Sequence, residues 1–374
     1  MKFTVERAPL LRALNHINNV VDRRSTMPIL NNLAIEAKDS HLVLTGTDMD
    51  IELIEDIPIP LAEGSWKTTA QANVLYDMVR KFKDGAQVEF DQDRNEMTVR
   101  SSRSRFSIPT MPHEDYPVMS AKDLRCVFTI PATDLHKLIG RTAFAMSTEE
   151  TRYYLNGIFL HTTENGGWVL RAVATDGHRL ARAEVPLTED MGTAWSGQGG
   201  VILPRKTVLE ARKLLDGFDG DVTVSLNDTM IRLSIPGITM TSKLVDGTFP
   251  EYQRVIPEGN SKVLDVAREP LREAVDRVAT IDDGRTRCIS LALNNRALVI
   301  SARNATNGSA TEEVDAQWGG QEMEIGFNSR YLLDIAGHIY GERIRFALND
   351  PGAPALITDP DDASVLYVLM PMRL

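Results

Sequence analysis

Cysteine is nearly absent from this sequence. Only Cys126 and Cys288 occur among its 374 residues, and a secreted protein of this size is expected to use more disulfide bridges than two distant cysteines provide. No apolar run approaches the ~18 residues of a membrane span, and the N-terminal segment has neither a long apolar core nor a cleavage site. These absences predict a cytosolic protein in a reducing compartment, with no membrane partner.

The motifs of common enzyme and metal sites are also missing. The seven histidines are scattered along the chain, and no H-x-x-x-H, C-x-x-C, G-x-S-x-G, Walker A or G-x-G-x-x-G pattern occurs. We therefore expect no metal and no cofactor, and we find no assembled set of catalytic residues.

The composition is that of a folded protein with several domains. The length allows two or three domains of about 100–200 residues each, and 43% of the residues are apolar, without long Pro, Ser or Gln tracts. The formal charge of −11 argues against an extended nucleic-acid surface, because phosphate binding uses clustered Lys and Arg. That argument holds only if the charge is evenly spread.

Three segments of the chain align with one another without a gap. They are "FTVERAPLLRAL" (3–14), "FTIPATDLHKLI" (128–139) and "LDVAREPLREAV" (264–275). Each predicts a short strand that leads into a helix with apolar residues three and four positions apart. Three unrelated α+β domains with generic patterning are the alternative, but the matched apolar positions favour an internal repeat.

The rest of each repeat corresponds as well. The sequence predicts strands that end in polar turns at 42–48, 170–176 and 298–304, second helices at 73–82, 207–215 and 330–339, and hairpins at 87–101, 222–235 and 344–358. Pro-rich passages at 109–117 and 248–260 fall where repeats join. We predict an α+β fold of three repeated domains, 1–120, 127–255 and 262–374, each with two helices packed on antiparallel sheets.

Positive charge is concentrated in the predicted helices. Segments 8–24, 73–83, 132–147 and 204–216 are net positive, segments 268–279 and 328–339 are neutral, and the remainder of the chain is acidic. If all helices share one side of the sheets, that side suits a phosphate backbone without base readout. Solvated helix faces with no ligand are the alternative. Aromatic residues that would stack single-stranded bases are not interleaved there.

The stretch "VATDGHRLA" (173–181) raises the possibility of an acid–base pair, Asp176 with His178. The repeat places Asp48 and Asn304 at the position of Asp176, which is typical of a turn-forming Asx residue and not of a general base. A hydrolase that uses the pair is the alternative, but no nucleophile or metal motif accompanies it. We predict no catalytic residue.

The chain ends in "YVLMPMRL" (367–374). Pro371 cannot continue a strand ladder, and Met370 and Met372 can adapt to varied partners, which is typical of a plastic peptide-binding groove. A frayed C-terminus is the alternative.

Several motifs in this order carry a family resemblance. They are "MKFTVER" (1–7), "TMPILNNL" (26–33), "TGTDMDIE" (45–52), "SRFSIPTMP" (104–112), "RYYLNGI" (152–158), "ATDGHRLA" (174–181), "LPRK" (203–206), "SKLVDGTFPEY" (242–252) and "YVLMPMRL" (367–374). Together they resemble the bacterial β sliding clamp family, the processivity subunits of DNA polymerase III, from end to end. The resemblance implies a non-catalytic, nucleoid-associated protein with the DNA-clamp fold. Two chains would close head to tail into a six-domain ring, with helices lining the hole and duplex DNA inside.

The resemblance also implies a cleft between the second and third domains that binds short linear motifs. Its partners would be the DNA polymerase III catalytic subunit, the clamp loader, other DNA polymerases, and repair or initiation-control proteins. The matching cleft positions are Leu155, Thr175, Gly177, His178, Arg179, Leu180, Pro250, Arg254, Val255, Val368, Met370, Pro371, Met372 and Arg373.

Two further sites follow from the same resemblance. Ring closure would use Phe106 and Ile108 on an edge strand of the first domain, meeting Ile281 and its helix in the third domain of the other chain. DNA contacts would include Arg24, Tyr153, Tyr154 and Arg205.

The sequence departs from the family in two places. Segment 188–200 is longer than expected, and its glycine content predicts a mobile loop. Thr286 stands near the cleft where the family often has a larger apolar residue, which bears on the depth of the pocket.

Overall fold

The computed structural model describes residues 2–60, 64–93, 95–121, 123–164, 166–195, 199–282, 284, 287–294 and 297–374. Contacts within these ranges divide the chain into two compact units. Unit 1 contains residues 1–136 and 209–244, and unit 2 contains residues 137–208 and 245–374. The segment from 127 to 255 therefore contributes to both units.

The described residues form seven α-helices. They are α1 (Arg7–Val20), α2 (Ala72–Val79), α3 (Ala132–Thr142), α4 (Glu189–Trp195), α5 (Arg205–Leu215), α6 (Arg268–Ala279) and α7 (Ser329–His338). Within these ranges, no helix is both long enough and apolar enough to cross a lipid bilayer.

Strands account for most of the remaining regular structure. In the first part of the chain they are β1 (Lys2–Glu6), β2 (Asn32–Lys38), β3 (His41–Thr47), β4 (Ile51–Pro58), β5 (Trp66–Gln71), β6 (Gln87–Asp93), β7 (Glu96–Ser101), β8 (Ser104–Pro109), β9 (Cys126–Pro131), β10 (Gly157–Glu164), β11 (Trp168–Thr175) and β12 (Arg179–Pro186). In the second part they are β13 (Val201–Pro204), β14 (Asp221–Leu226), β15 (Met230–Ile235), β16 (Ile238–Lys243), β17 (Lys262–Ala267), β18 (Cys288–Leu293), β19 (Leu298–Asn304), β20 (Gly308–Val314), β21 (Ala316–Trp318), β22 (Met323–Asn328), β23 (Arg343–Leu348), β24 (Ala355–Asp359) and β25 (Asp362–Leu369).

The predicted threefold repeat is confirmed in the order of elements. Each repeat opens with a strand that passes directly into a helix: β1 into α1, β9 into α3, and β17 into α6. Each of these helices was predicted from apolar residues three and four positions apart, and those residues are the ones expected to face the core. In α6, for example, Leu271, Ala274, Val275 and Val278 are buried at intervals of three and four residues.

Each unit contains one small sheet and one large sheet. Unit 1 has a four-stranded sheet in the order β1-β6-β7-β8 and an eight-stranded sheet in the order β5-β2-β3-β4-β16-β15-β14-β9. Unit 2 has a four-stranded sheet in the order β20-β19-β18-β22 and a nine-stranded sheet in the order β13-β10-β11-β12-β25-β24-β23-β17-β21. The α1–α2 pair packs in unit 1 and the α6–α7 pair in unit 2.

The large sheets join one repeat to the next by strand pairing. In unit 1, β4 of the first repeat pairs antiparallel with β16 of the second. In unit 2, β12 of the second repeat pairs antiparallel with β25 of the third. Because a hydrogen-bonded ladder fixes both the spacing and the register of its strands, each junction is as well defined as a sheet within one domain.

The prediction of a mobile loop at 188–200 is wrong for its first half. Residues 189–195 form α4, which packs on β10 and β11. Trp195 is 2% exposed, and its indole Nε1 donates to the Gly199 carbonyl at 3.1 Å. Burial of the large indole explains why residues 189–195 form a helix despite the glycine at position 192. Residues 196–198 lie outside the described residues.

Candidate functional site

The turn after β11 is built on Asp176. Its Oδ1 accepts hydrogen bonds from the backbone amides of His178 and Arg179 at 2.9 and 3.0 Å. The equivalent Asp48 accepts from Asp50 and Ile51 in the same way, at 2.9 and 2.8 Å. The prediction that this aspartate is a turn-forming residue is therefore confirmed.

The third repeat makes the same turn with an amide side chain. Asn304 Oδ1 accepts from the amides of Thr306 and Asn307 at 2.8 and 3.0 Å. An acceptor oxygen is what the three copies share, and a carboxylate is not required for the turn.

Asp176 has one role that its counterpart in the third repeat cannot have. Its Oδ2 accepts from Arg179 Nε at 3.0 Å. We expect Asp176→Ala to destabilise the turn by about 2 kcal/mol and Asn304→Ala by about 1 kcal/mol, because only the first change also removes a charge-assisted bond. Hydrogen exchange of the His178 and Arg179 amides measures the first loss of stability, and exchange of the Thr306 and Asn307 amides measures the second. Equal effects at the two sites would contradict the additional role.

Arg179 is held inside the protein. The residue is 9% exposed, its Nη1 donates to Asp334 Oδ2 at 2.5 Å, and its Nη2 donates to the Phe144 carbonyl at 2.7 Å. The guanidinium also lies over the Tyr331 ring, 4.4 Å from its centroid. Arg179 was predicted as part of a cleft wall, and the structure shows that its charge is committed to internal partners that fix the turn.

Gly177 occupies the centre of the same turn. Its φ is +88°, and an added Cβ would lie 2.8 Å from Arg152 Nη1. The left-handed backbone explains why glycine stands here. The turn leaves the following residue, His178, exposed, with its ring 6.2 Å from that of Tyr331.

An apolar cluster lies beside this turn on the nine-stranded sheet. Leu155, Leu180 and Val368 belong to it, and each is at most 5% exposed. Leu180 and Val368 are direct register partners on β12 and β25. The cluster therefore brings together three of the predicted cleft residues that are distant in sequence. Its other buried members are Val173, Ile202, Phe249, Tyr252 and Leu366.

A short 3-10 helix, Tyr252–Val255, packs on this cluster. Tyr252 faces inward and is 3% exposed, whereas Val255 is 50% exposed. Pro250 and Arg254 are also exposed, and Arg254 pairs with Glu251 at 2.5 Å. The segment thus presents three of the predicted cleft residues to solvent while its aromatic residues anchor it.

The C-terminal residues continue along the same surface. The Met370 amide donates to the His178 carbonyl at 2.9 Å, and the Met372 amide donates to the Gly326 carbonyl at 2.8 Å. Met370 is 41% exposed, Pro371 and Met372 are half-buried, and Arg373 is exposed. The two backbone hydrogen bonds are not those of a frayed terminus.

The structure therefore places the predicted cleft residues in one region of unit 2, with Leu155, Arg179, Leu180 and Val368 buried and the others half-buried or exposed. Thr175 closes the turn, with its hydroxyl donating to the Arg179 carbonyl at 2.6 Å. Thr286, predicted to influence the depth of the pocket, lies outside the described residues. The sequence analysis missed Phe249 and Tyr252 as residues of this site, although both are large aromatic residues of the motif "SKLVDGTFPEY" and such residues are commonly buried.

The second predicted site is the strand β8. It forms one edge of the four-stranded sheet of unit 1, as the sequence predicted. Phe106 is 41% exposed, whereas Ile108 is 4% exposed. Together with Val74 and Phe82, both residues line a pocket of about 360 Å³. Phe106 is thus available to a partner, while Ile108 forms part of the pocket wall.

Ile281, in unit 2, lies just beyond the end of α6 and is half-buried. Its carbonyl accepts from Asn307 Nδ2 at 3.1 Å. On α6 itself, Arg277 donates to Glu312 of β20 at 2.6 and 3.1 Å. These contacts hold α6 against β20, which is an edge strand of its sheet.

The residues predicted to contact DNA differ in how freely they are exposed. Arg24 is exposed and Tyr153 is 54% exposed. Tyr154 is half-buried against the apolar cluster, with its ring 5.6 Å from that of Tyr153 and nearly perpendicular to it. Arg205 begins α5, and its Nη1 donates to the Met146 carbonyl at 3.4 Å.

Part of the positive charge on the helices is neutralised within the protein. Lys137 and Arg141 of α3 both pair with Asp362, which lies outside the predicted helices, at 3.1 and 3.4 Å. Helix α3 therefore offers less free positive charge than the sum over segment 132–147 indicated.

Two observations bear on metal chemistry. Among the described residues, no group of three His, Cys, Asp or Glu side chains is placed to hold a metal ion. Both cysteines are free, and burial raises the pKa of each thiol.

The repeated strand–helix units and the sheets that continue from one repeat to the next define the DNA-clamp class of proteins. Three family models match successive parts of the chain. They are DNA polymerase III beta subunit, N-terminal domain, over residues 1–120, central domain, over residues 129–251, and C-terminal domain, over residues 253–373. The chain belongs to this family, the bacterial β sliding clamps, and has its three-domain fold.

Individual relatives are similar over their full lengths. A protein named Beta sliding clamp from Caulobacter vibrioides (strain NA1000 / CB15N) is 44% identical over 380 residues, which cover 100% of both chains. The crystal structure of a DnaN sliding clamp from Bartonella birtlesii bound to griselimycin matches with a TM-score of 0.96 and 43% identity, over 100% of both chains. The corresponding griselimycin-bound clamp from Pseudomonas aeruginosa matches with a TM-score of 0.93 and 38% identity, also over 100% of both chains.

Proposed function

We propose that this protein is a sliding clamp that encircles duplex DNA and tethers the replicative DNA polymerase for processive synthesis. It acts as a processivity factor of DNA polymerase III and catalyses no reaction. The observation that carries the proposal is the family match, which extends through all three domains of the chain. The domains run from 1 to 120, 127 to 255 and 262 to 374, and the protein works in the cytoplasm, associated with the nucleoid.

The ring closes as a head-to-tail homodimer in which β8 of one protomer meets the edge strand β20 of the other. Both strands are edges of four-stranded sheets. Pairing them would join the two sheets across the interface, as the pairings β4–β16 and β12–β25 join successive repeats within the chain. Arg103 and Arg105 precede the exposed Phe106, whereas Glu313 lies on β20 beside Glu312, which pairs with Arg277. The opposite charges favour this pairing over β8 with β8.

Apolar contact supports the same interface. The pocket beside Phe106 is partly apolar, with Val74 and Phe82 in its wall. Ile281 of the partner subunit is a suitable occupant, because it follows the helix that packs on β20.

DNA is held by enclosure and not by tight binding. Arg24, Tyr153, Tyr154 and Arg205 contact the duplex, and the net charge of −11 keeps the overall attraction to phosphate weak. A ring that released many counterions on binding would be strongly retained at one position, which would oppose sliding.

The cleft around Leu180 binds short linear motifs. Its exposed residues, including His178, Val255 and Met370, surround an apolar base, which suits a peptide with hydrophobic anchors. Its partners are the DNA polymerase III catalytic subunit, the clamp loader, other DNA polymerases, and repair or initiation-control proteins.

Retention on DNA tests the function directly. The protein is loaded on nicked circular DNA with a clamp loader, and half of the sample is then cut once with a restriction enzyme. We expect stable retention on the uncut circle at about 0.5 M salt and rapid loss from the linear form, because a topological link does not depend on phosphate contacts. Gel filtration in the same salt separates bound from free protein.

The result separates the alternatives. A module that binds one side of DNA is lost equally from circular and linear molecules as salt is raised. Equal retention before and after cutting would contradict enclosure.

A further inference from the structure

The cleft wall formed by residues 249–255 is attached to the protein through its aromatic side chains. Phe249 is 7% exposed and Tyr252 is 3% exposed. The Phe249 ring stacks on Phe159 of β10, with centroids 4.9 Å apart and planes 4° from parallel. The same segment carries the exposed Pro250 and Val255, so the position of these cleft residues depends on how the aromatic side is held.

The hydroxyl of Tyr252 makes two hydrogen bonds beneath this wall. Arg171 Nη1 donates to it at 2.9 Å, and His161 Nε2 lies 2.8 Å from it. Arg171 Nε in turn donates to Glu184 Oε1 at 2.8 Å, and Arg182 Nε lies 3.1 Å from the same oxygen.

This network is a direct product of strand register. His161 of β10 is opposite Arg171 of β11, and Arg171 is opposite Glu184 of β12. Three neighbouring strands of one sheet thus place a row of polar side chains beneath the wall. The wall residues Tyr252–Val255 form a 3-10 helix and belong to no strand of the sheet.

The chemistry of the donors restricts the direction of these hydrogen bonds. A guanidinium can only donate, so the Tyr252 oxygen accepts from Arg171. The nearest acceptor for the Tyr252 hydroxyl proton is His161 Nε2, 2.8 Å away, which accepts only when it is unprotonated. His161 Nδ1 lies 3.1 Å from the Thr162 carbonyl, which requires the ring proton to be on Nδ1. The network is complete only with neutral His161.

The surroundings favour that neutral form. Burial lowers the pKa of His161, and the positive charges of Arg171 and Arg182 act in the same direction, against the Thr162 carbonyl and Glu184. A pocket of about 340 Å³, lined by Phe159, His161 and Trp195 among others, reaches the ring. Glu251, which also lines this pocket, is exposed and paired with Arg254. Water can therefore reach His161 and protonate it.

We propose that Tyr252 is a positioning residue of the peptide cleft, and that partner binding requires His161 to be neutral. The inference rests on the proposed function of the cleft. Protonated His161 places a second donor against the Tyr252 oxygen and leaves the hydroxyl proton without its acceptor. The wall carrying Pro250, Arg254 and Val255 then detaches from the sheet, and fewer molecules have a cleft ready to bind.

The direction of the pH effect follows from linkage. With the wall released, the burial that lowers the pKa of His161 is reduced, so the pKa moves towards its ordinary value of about 6.5. With the wall attached, the pKa is lower. The attached wall therefore has its full stability above about pH 6.5 and loses it progressively as the pH falls through the interval between the two values.

Two variants test the proposal by calorimetric titration with the purified DNA polymerase III catalytic subunit between pH 5.5 and 8. Tyr252→Phe keeps the ring and removes the hydroxyl, and we expect binding about tenfold weaker at pH 8, because the fraction of molecules with an attached wall falls. His161→Gln supplies an amide oxygen that can accept the Tyr252 proton but does not titrate. We expect the affinity of this variant at pH 8 to stay within about twofold of that of the unmodified protein. Between pH 8 and 5.5, the unmodified protein should lose at least about threefold more affinity than the variant.

The controls remove other sources of pH dependence. Every sample contains His178 and the same polymerase subunit. Only the difference in pH dependence of the affinity between His161→Gln and the unmodified protein is therefore interpreted. His41→Gln replaces an exposed histidine of unit 1 that pairs with Asp56, and its pH profile should match that of the unmodified protein.

The outcomes distinguish this inference from the proposed function. If the unmodified protein binds and both variants give the same affinities and the same pH profile, the positioning role is overturned and the cleft remains. If the unmodified protein binds the polymerase at no pH, the proposed function of the cleft fails.

Discussion

Ile281→Asp is expected to convert the dimer into monomers at micromolar concentration. Ile281 is half-buried in the isolated chain, so a carboxylate there can be hydrated in the monomer but must lose water in the proposed interface. The lost apolar contact and the desolvation of a charge together weaken association by about a thousandfold or more. Sedimentation equilibrium gives the mass directly.

The complementary variant lies on the other surface. Phe106→Asp should have the same effect, because Phe106 is 41% exposed on the edge strand β8. Val127→Asp is the matched control: Val127 is 50% exposed, and it lies on β9, an edge strand of the eight-stranded sheet to which we assign no interface. Both interface variants should also be lost from nicked circular DNA. Dimers of either interface variant that persist at micromolar concentration would refute the proposed ring closure.

Removing Met370–Leu374 is expected to weaken binding of the polymerase catalytic subunit by about a hundredfold. The deletion removes two adaptable methionines from the cleft, and each apolar contact of this size contributes about 1.5–3 kcal/mol when fully buried. The fold should persist, because Val368 and Leu369 remain in β25 and are at most 2% exposed. Surface plasmon resonance at pH 8 measures the affinity, and sedimentation confirms that the dimer is retained.

A methionine outside the cleft provides the control for this deletion. Met27 is 53% exposed in unit 1, far from the cleft in sequence, and Met27→Ala should leave the affinity unchanged. The cleft assignment would be wrong if the deletion had no effect on binding.

Much of the fold was predictable because it depends on local pattern. The apolar spacing in 264–275 predicts a strand that passes into a helix, and β17 and α6 occupy those positions. The role of Asp176 was also predictable, because the repeat supplies Asp48 and Asn304 as two independent copies of the same turn. Local hydrogen bonds of this type depend on neighbouring residues alone.

Other features could not be predicted from neighbouring residues. A cationic residue beside a turn is expected to be exposed. Arg179 is nevertheless buried, because its guanidinium donates hydrogen bonds to Asp334 and to the Phe144 carbonyl, which are distant in sequence. Local sequence predicts a loop for segment 189–195, yet it is helical because the sheet surface buries Trp195. In both cases a tertiary partner outweighs the local preference.

The sequence by itself determined the repeat, the order of strands and helices, the Asx turns and the family, because these depend on periodicity, on neighbouring residues and on ordered motifs. Tertiary structure alone decided which distant residues meet. Strand register placed His161, Arg171 and Glu184 in one row beneath Tyr252, and pairing of β12 with β25 placed Leu180 against Val368. Register arises from hydrogen bonding between strands, and a pattern within one strand does not specify which residue it will face.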